Sequence, residues 1–462
     1  MTPIQYRGEE KSNAVRATLT QREPIALRTF TPTQAVLAKS AGIFHWTAEG
    51  RKLYDYSSGV LVANLGHNPT RWFQRFIQYM QWPANICGGI TAKADEYIEA
   101  VALTAYNAMT PIEAEASERL VKNIQSWPGG KRLDTVMWAA SGSEAVQKAL
   151  WACLHRDEKR DLILATRYGF HGKKGLAGAV TGSEKDHDRD PRVKFISFPM
   201  AEVDDVSKYG QSIDLAPYQR ELEFLWKEYG SRLNCIITEP YLGGGGSYHP
   251  PAAYLQMVEK FCRQHDILFI LDEVQANFGR TGRMYAFEAY GLEPDFVVLG
   301  KGLGNGIAVS AAVGRGDIMS SLKYGEASDT WSANPVSCAS VLATLDEFES
   351  TDVLAHTRRL TPIYFEGLNR LKETGLVVKV RGEGLVFGIQ CAPIGKFTDK
   401  EVASKIVEAC YLGRGDMGIH LLGALAGNVI RISPPMVITE QQTKESLQLF
   451  VEIVQSLAKQ LA

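Results

Sequence analysis

Seven apolar runs stand out along the chain: Thr135 to Ala140, Leu162 to Thr166, Val193 to Phe198, Cys235 to Thr238, Ile267 to Leu271, Phe296 to Leu299 and Ile307 to Val313. They are rich in β-branched residues and lack strict apolar–polar alternation, the pattern of strands covered on both faces. Between them lie segments with helical spacing. Ser143 to His155 is one, and Ala252 to His265 is another, with Leu255, Val258, Phe261 and Cys262 on one side. Strand, helix and strand in repetition predict an α/β fold built on a mostly parallel seven-stranded sheet covered by helices.

The pattern changes after Ser337. The tail reads as helices around a short stretch, Val377 to Gln390, and a closing helix that begins near Thr439. Thr439 and Gln442 form a capping-box pattern, and Leu447, Phe450, Val454, Leu457 and Leu461 then keep helical spacing. The first 75 residues hold only two strand-like pieces, Gly42 to Trp46 and Leu53 to Tyr56, too little to fold alone. The expected organisation is an N-terminal lead (1–75), a large domain (76–336) and a smaller α+β domain (337–462) on which the lead packs.

Charge narrows the class. With 50 Lys and Arg against 52 Asp and Glu, the net charge of -2 argues against holding nucleic acid by charge. The 45% hydrophobic content supports a large core rather than disorder. No apolar run reaches the roughly 18 residues of a membrane span, and Met1 to Arg22 is too polar for a signal peptide. The seven cysteines are widely spaced with no Cys-x-x-Cys pair, which disfavours a disulfide framework and a zinc site and fits a reducing cytoplasm.

The chemistry concentrates at strand ends. The run from Ile267 ends in Asp272, whose carboxylate is costly to bury without a partner. Taken alone, it could cap a turn or pair with Arg280. The run from Phe296 ends in Gly300-Lys301-Gly302, placing a lysine where open α/β sheets bind ligands, although a lone loop lysine is usually just solvated. Together they suggest more. A buried lysine with a lowered pKa forms Schiff bases, and pyridoxal phosphate is the commonest carbonyl cofactor of that kind; it also needs an acid at its pyridine nitrogen. Ala140-Ser141-Gly142-Ser143-Glu144 offers a strand, a small-residue turn and a helix start suited to the phosphate, or else an ordinary N-cap. Phe170-His171-Gly172 offers an aromatic face, or else core packing.

These motifs occur in the order SGSEA, FHG, EP-x-x-GGGG, LDEVQ-x-x-FGRTG, PD-x-x-x-LGKGLGNG and TWSANP. In that order the chain, from about Ala41 to Pro435, resembles the class III (subgroup II) aminotransferases of the fold type I pyridoxal-phosphate enzymes. The resemblance implies that Lys301 holds the cofactor as an internal aldimine and shuttles the substrate proton, and that Asp272 binds the pyridine nitrogen. It implies that Val274 and Phe170 sandwich the ring, that Gln275 lies near its phenolic oxygen, and that Ser141, Gly142 and Ser143 hold the phosphate. Glu239, in the EP-x-x-GGGG motif, joins the cofactor set, and His171 positions the loop bearing Phe170. Thr330 matches a family threonine that reaches the phosphate from the partner subunit, so a homodimer with interfacial active sites is implied.

Arg431 matches the family arginine that grips a substrate carboxylate, unless it serves as a structural ion pair. In the 4-aminobutyrate and ornithine members the glycine-rich segment carries a glutamate partner for this arginine; here Gly244 stands there, which disfavours those two assignments. Val146 replaces the family's usual asparagine after the phosphate turn. His67 reads as structural. Tyr56, Val60, Leu61, Trp82 and Trp331 are candidates for the substrate channel by motif proximity, Trp82 foremost.

The expected activity is transfer of an amino group from an amine or amino acid to a keto acid, pyruvate or 2-oxoglutarate, by a ping-pong mechanism. The alternative within the family is an amino-acid racemase, epimerase or decarboxylase, since the same cofactor residues serve each. A nucleotide-binding reading of Gly302-x-Gly304-x-Gly306 is weak, because a strand-like run follows where a helix should open.

Overall fold

The computed structural model describes residues 3–27, 29–83, 85, 97–182, 190–424 and 426–461. Among the described residues fourteen strands run in chain order. They are β1 (Lys39–Ala41), β2 (Phe44–Trp46), β3 (Lys52–Asp55), β4 (Thr135–Ala139), β5 (Leu162–Thr166), β6 (Val193–Ile196), β7 (Leu233–Thr238), β8 (Leu268–Asp272), β9 (Phe296–Leu299), β10 (Ser310–Gly314), β11 (Val377–Glu383), β12 (Val386–Cys391), β13 (Met417–His420) and β14 (Val429–Ile432).

Seven of them form one sheet in the order β4-β10-β9-β8-β7-β5-β6. Only β10 runs against its neighbours, β4 and β9. The remaining pairs are parallel. Every residue of β5, β7, β8, β9 and β10 is buried, which is why their sequences show continuous apolar runs instead of alternation. A fully buried Leu, Ile or Phe in such a strand contributes about 1.5–3 kcal/mol. Because β10 alone is reversed, the carboxyl ends of β4, β5, β7, β8 and β9 open onto one edge, where such sheets bind ligands.

The helix Gly142–Arg156 follows β4 directly. Ser141 caps it: its Oγ accepts from the Glu144 N–H at 3.4 Å, while the Glu144 carboxylate accepts from the Ser141 N–H at 3.1 Å. Ala145, Val146, Ala149, Leu150 and Cys153 form its buried face. Val146, where the family's asparagine would stand, is thus an apolar residue of that face. The helix Ala252–Gln264 buries Leu255, Val258, Phe261 and Cys262. The closing helix Glu440–Leu461 starts as its pattern predicts, with Thr439 Oγ1 accepting from the Gln442 N–H at 3.2 Å and Gln442 Oε1 accepting from the Thr439 N–H at 2.9 Å.

Two smaller sheets complete the fold. β11, β12 and β14 form an antiparallel sheet, in which Arg431 of β14 lies opposite Gly388 of β12. The other has the order β1-β2-β3-β13, with β3 parallel to β13 and Asp55 opposite His420. The backbone has no break at 75/76 or 336/337, because those numbers fall inside the helices Thr70–Tyr79 and Pro335–Ser350. These two helices pack together, and Trp72 Nε1 donates to Thr344 Oγ1 at 2.9 Å between them.

The helix Glu10–Arg22 has almost no apolar side and gave no periodic signal. It is fastened by Arg16, which donates to Glu9 at 2.7 Å and to the Tyr411 hydroxyl at 2.9 Å. Six cysteines are buried and unbonded, and Cys87 lies outside the described residues. Among the described residues, no helix is long and apolar enough to cross a membrane.

Candidate active site

β8 delivers Asp272 to the carboxyl edge of the sheet, 3% exposed. Its Oδ2 lies 2.7 Å from His171 Nδ1, and its Oδ1 accepts from the Val274 N–H at 3.0 Å. Arg280 is not its partner. That guanidinium is fully buried elsewhere, donating to the carbonyls of Leu385 and Pro434 and to the side chains of Ser58 and Asn64. His171 is held in turn by the Thr181 hydroxyl, which accepts from the His171 N–H at 2.7 Å and the Gly172 N–H at 3.1 Å. Thr181 lies ten residues downstream, and no motif in the sequence marks it.

β9 delivers Lys301, which adopts a left-handed φ of 48° between Gly300 and Gly302. Such a φ is uncommon for lysine, and strain of this kind clusters at functional sites. The flanking glycines have a steric cause. A Cβ on Gly300 would meet Ser310 Oγ at 2.6 Å, and one on Gly302 would meet Asn64 Nδ2 at 2.3 Å. The lysine keeps a little exposed surface while its amine is enclosed. Burial first, and then the charge of Arg431, pull its pKa down to about 7 against the opposing pull of Glu239 and Asp272.

Glu239, 2% exposed, follows β7 and joins two loops by accepting from the Phe170 N–H at 2.9 Å and the Gly243 N–H at 3.2 Å. Burial pushes its pKa up to about 7; His171 opposes this and Asp272 adds to it. Phe170 remains 38% exposed, with a face available to a ligand. Val274 is wedged between two turns: a Cβ on Gly142 would meet its methyls at 3.1 and 3.2 Å, and one on Gly300 would meet Cγ1 at 3.3 Å. Gly172 admits the Ser143 hydroxyl, which a Cβ there would meet at 2.4 Å. The N–H groups of Gly142 and Ser143 donate to no described residue and lie at the positive end of a 15-residue helix.

Arg431, 2% exposed, donates through Nη1 to Gln275 Oε1 at 2.7 Å. Its Nε is buried without a partner, and among the described residues no carboxylate pairs with it. Burial lowers its pKa to about 10, opposed by Tyr241 and Glu239, so it stays charged at neutral pH. Gln275 is also fixed through its backbone, whose carbonyl accepts from the Tyr241 hydroxyl at 3.1 Å.

The peripheral candidates separate. Thr330 is exposed on a turn anchored by Asp329, whose carboxylate binds the Lys148 amine at 2.8 Å. Trp331 is 63% exposed and Val60 38%. Trp82 is half-buried against Phe76, with ring centroids 5.6 Å apart. Tyr56 and Leu61 belong to the core instead of a channel; the Tyr56 hydroxyl donates to Ser446 Oγ at 2.8 Å and its ring packs on Tyr364 and Phe450. His67 is spent on a structural contact, 2.7 Å from Asp55 Oδ2.

The family model described as Aminotransferase class-III matches residues 26–454. The chain belongs to the class-III aminotransferases. Members of this family are pyridoxal-phosphate enzymes, and the chain is a pyridoxal-phosphate-dependent aminotransferase. It is 29% identical over 448 residues to an acetylornithine aminotransferase of Caldanaerobacter subterraneus subsp. tengcongensis, covering 95% of this chain and 99% of that one. It is also 28% identical over 432 residues to a leucine/methionine racemase of Thermococcus litoralis, covering 91% and 90%. The solved acetylornithine aminotransferase from Elizabethkingia anophelis shares the fold, with a TM-score of 0.76 at 23% identity over 96% of this chain and 99% of that one.

The side chains of this class-III aminotransferase fit the cofactor. Free helix N–H groups suit its phosphate, a buried carboxylate held by His171 suits its pyridine nitrogen, and an enclosed amine suits its aldehyde.

Proposed function

We propose that the enzyme moves an amino group from an amine or amino acid to a keto acid such as pyruvate or 2-oxoglutarate, with Lys301 as the catalytic amine. The observation that carries this reading is the enclosed Lys301, its pKa near 7, in one electrostatic cluster with Asp272, Glu239 and Arg431. Bound pyridoxal phosphate supplies an aldehyde to combine with amines and a ring that withdraws electrons.

The chain's own residues do the rest. Lys301 Nζ, about half neutral at pH 7, takes a proton from the donor's Cα in one half-reaction, and in its protonated form it gives one to the acceptor's Cα in the other. Asp272, kept in place by His171 and the Val274 N–H, presents a negative charge to the ring nitrogen. The Gly142 and Ser143 N–H groups hold the phosphate, with the Ser141 and Ser143 hydroxyls beside them. Val274 and Phe170 take opposite faces of the ring, and Glu239 keeps the Phe170 loop against the glycine-rich loop. Arg431 takes the substrate carboxylate, and Trp82 contributes to the substrate side. The exposed Thr330 reaches the phosphate of a second copy, which makes the working unit a homodimer with interfacial sites. The buried, unbonded cysteines support a cytoplasmic location.

Borohydride reduction of the loaded enzyme followed by peptide mapping tests the central assignment: the label is expected on Lys301, and a label elsewhere refutes it. Initial rates varied over both substrates should give parallel double-reciprocal lines. The racemase in the family gives the second reading its specific support. Catalytic loss of optical purity from a chiral amino acid with no keto acid present would favour it.

A further inference from the structure

The contact between His67 and Asp55 is one edge of a larger group on the four-stranded sheet β1-β2-β3-β13. Two imidazoles aim at one carboxylate oxygen, Asp55 Oδ2. His67 Nε2 lies 2.7 Å from it and His45 Nε2 lies 3.4 Å from it. The second approach is longer than a good hydrogen bond, and His45 Nε2 is buried with no other partner. A buried polar atom left in that condition calls for a physical reason.

The other atoms of the group are held still. Asp55 Oδ1 accepts from the Ser57 N–H and hydroxyl, each at 2.7 Å, and from the Ser58 N–H at 3.1 Å, which leaves Oδ2 to the imidazoles. His45 Nδ1 meets the Ser40 hydroxyl at 2.6 Å, and this contact fixes the ring with Nε2 directed inward. His420 of β13 stands opposite Asp55 and edge-on to His45, with ring centroids 5.4 Å apart. Supporting contacts behind each donor are what metal-binding imidazoles and carboxylates require.

We propose that His45 Nε2, His67 Nε2 and Asp55 Oδ2, with His420 as the fourth side chain, bind one divalent ion of the zinc class. Among the described residues this is the one place where three such groups gather, their ligand atoms all within 4.8 Å of one another. Tetrahedral zinc, with bonds of about 2.0–2.1 Å to nitrogen and oxygen, sets its ligand atoms about 3.3 Å apart. His45 and Asp55 already have that spacing, and His67 has to draw back by about half an ångström. The His67 side chain is 18% exposed and marks the way in, while His45 and Asp55 are buried. Imidazole donors select this ion over magnesium or calcium, which take oxygen. Cysteine spacing carries no signal for it, because no thiolate takes part.

The ion staples β2, β3 and β13 to the turn that bears His67. The chain just before that turn reaches the catalytic strands: Asn64 Nδ2 donates to the Phe278 carbonyl at 2.8 Å, and the Leu65 N–H donates to Asn305 Oδ1 at 3.0 Å. Its role is therefore mechanical, holding the lead against the large sheet.

The untagged holoenzyme, dialysed against EDTA, is titrated at neutral pH with ZnCl2 and followed by calorimetry and thermal unfolding. One equivalent is expected to bind and to raise Tm by about 3 °C or more, whereas MgCl2 and CaCl2 leave it unchanged. His45→Gln and His67→Gln should each weaken Zn2+ at least about 100-fold, and Ser40→Ala, which frees only the ring of His45, about 10-fold. The zinc X-ray absorption spectrum of wild type should show nitrogen and oxygen neighbours at about 2.0–2.1 Å, imidazoles among them, and no sulfur. Failure of wild type to bind zinc overturns the proposal. So does binding of equal strength in wild type and both histidine variants, which would mean surface histidines only. A sulfur neighbour, or an equal rise in Tm from magnesium or calcium, overturns it too. If one variant fails to fold, the other variant and the wild-type spectrum decide.

Discussion

The imidazole of His171 lies 2.7 Å from the carboxylate of Asp272, and its far nitrogen, Nε2, is buried without a partner. Nδ1 therefore carries the proton toward Asp272, and the ring acts as a brace that fixes where the carboxylate charge sits. A hydrogen bond to a buried charged group is worth about 1.5–3 kcal/mol. His171→Ala is accordingly expected to weaken cofactor binding about 10- to 100-fold in equilibrium dialysis. His171→Asn, which keeps a donor, should recover part of the loss. Asp272→Asn should lower kcat at least about 100-fold even at saturating cofactor.

The enclosed amine of Lys301 gives a second test. Its lowered pKa means that in the cofactor-free protein the nucleophilic, neutral form prevails above pH 7, well below the point at which a free lysine would lose its proton. Trinitrophenylation of Lys301 should rise with pH through a midpoint near 7. Arg431→Gln removes a contributing positive charge, so the same midpoint should move upward. An unshifted midpoint would separate the two groups.

Acid stability should report on a different cluster. His420 lies among His45, His67 and Asp55; burial pulls its pKa down to about 4, opposed by Asp55 and assisted by the other two imidazoles. The folded state thus binds its proton less readily than the unfolded chain, with its pKa near 6.5. The resulting stability is complete above pH 6.5 and is lost as pH falls toward 4, amounting to up to about 3 kcal/mol. Asp55 extends the loss to lower pH, since hydrogen bonds from His45 and His67 overcome its burial and hold its pKa far below the carboxylate range. Urea midpoints from pH 7.5 to 4.5 should fall steeply in wild type and less in His420→Gln.

Arg280 supplies a fourth prediction. It joins segments far apart in the chain by reaching Ser58, Asn64, Leu385 and Pro434 from one fully buried guanidinium. Arg280→Met leaves several buried acceptors unpaired and is expected to cost at least about 3 kcal/mol in denaturant unfolding. Arg280→Lys, with one compact ammonium in place of the fork, should recover less than half.

The central sheet was legible because its strands are buried on both faces, so local composition alone marks Leu268–Asp272 and Phe296–Leu299. The ends of those strands then delivered Asp272 and Lys301. What stayed hidden depends on partners distant in sequence. Arg431 meets Gln275 across 156 residues, and Tyr56 enters the core because Ser446 accepts its hydroxyl. Thr181 acts through backbone N–H groups, which leave no side-chain pattern to read. The weakly amphipathic helix Glu10–Arg22 forms because Arg16 finds Glu9 and Tyr411, a long-range cause without a local signature.

The parallel pairing of β3 with β13 joins Lys52–Asp55 to Met417–His420. As the ribosome makes the chain, its opening strands must wait for almost the whole of the remainder before their sheet can be finished, so the lead emerges early and docks late. A stop codon shortly before Met417 would therefore damage the beginning of the protein as well as its end, leaving the edge of β3 bare for association with other nascent chains.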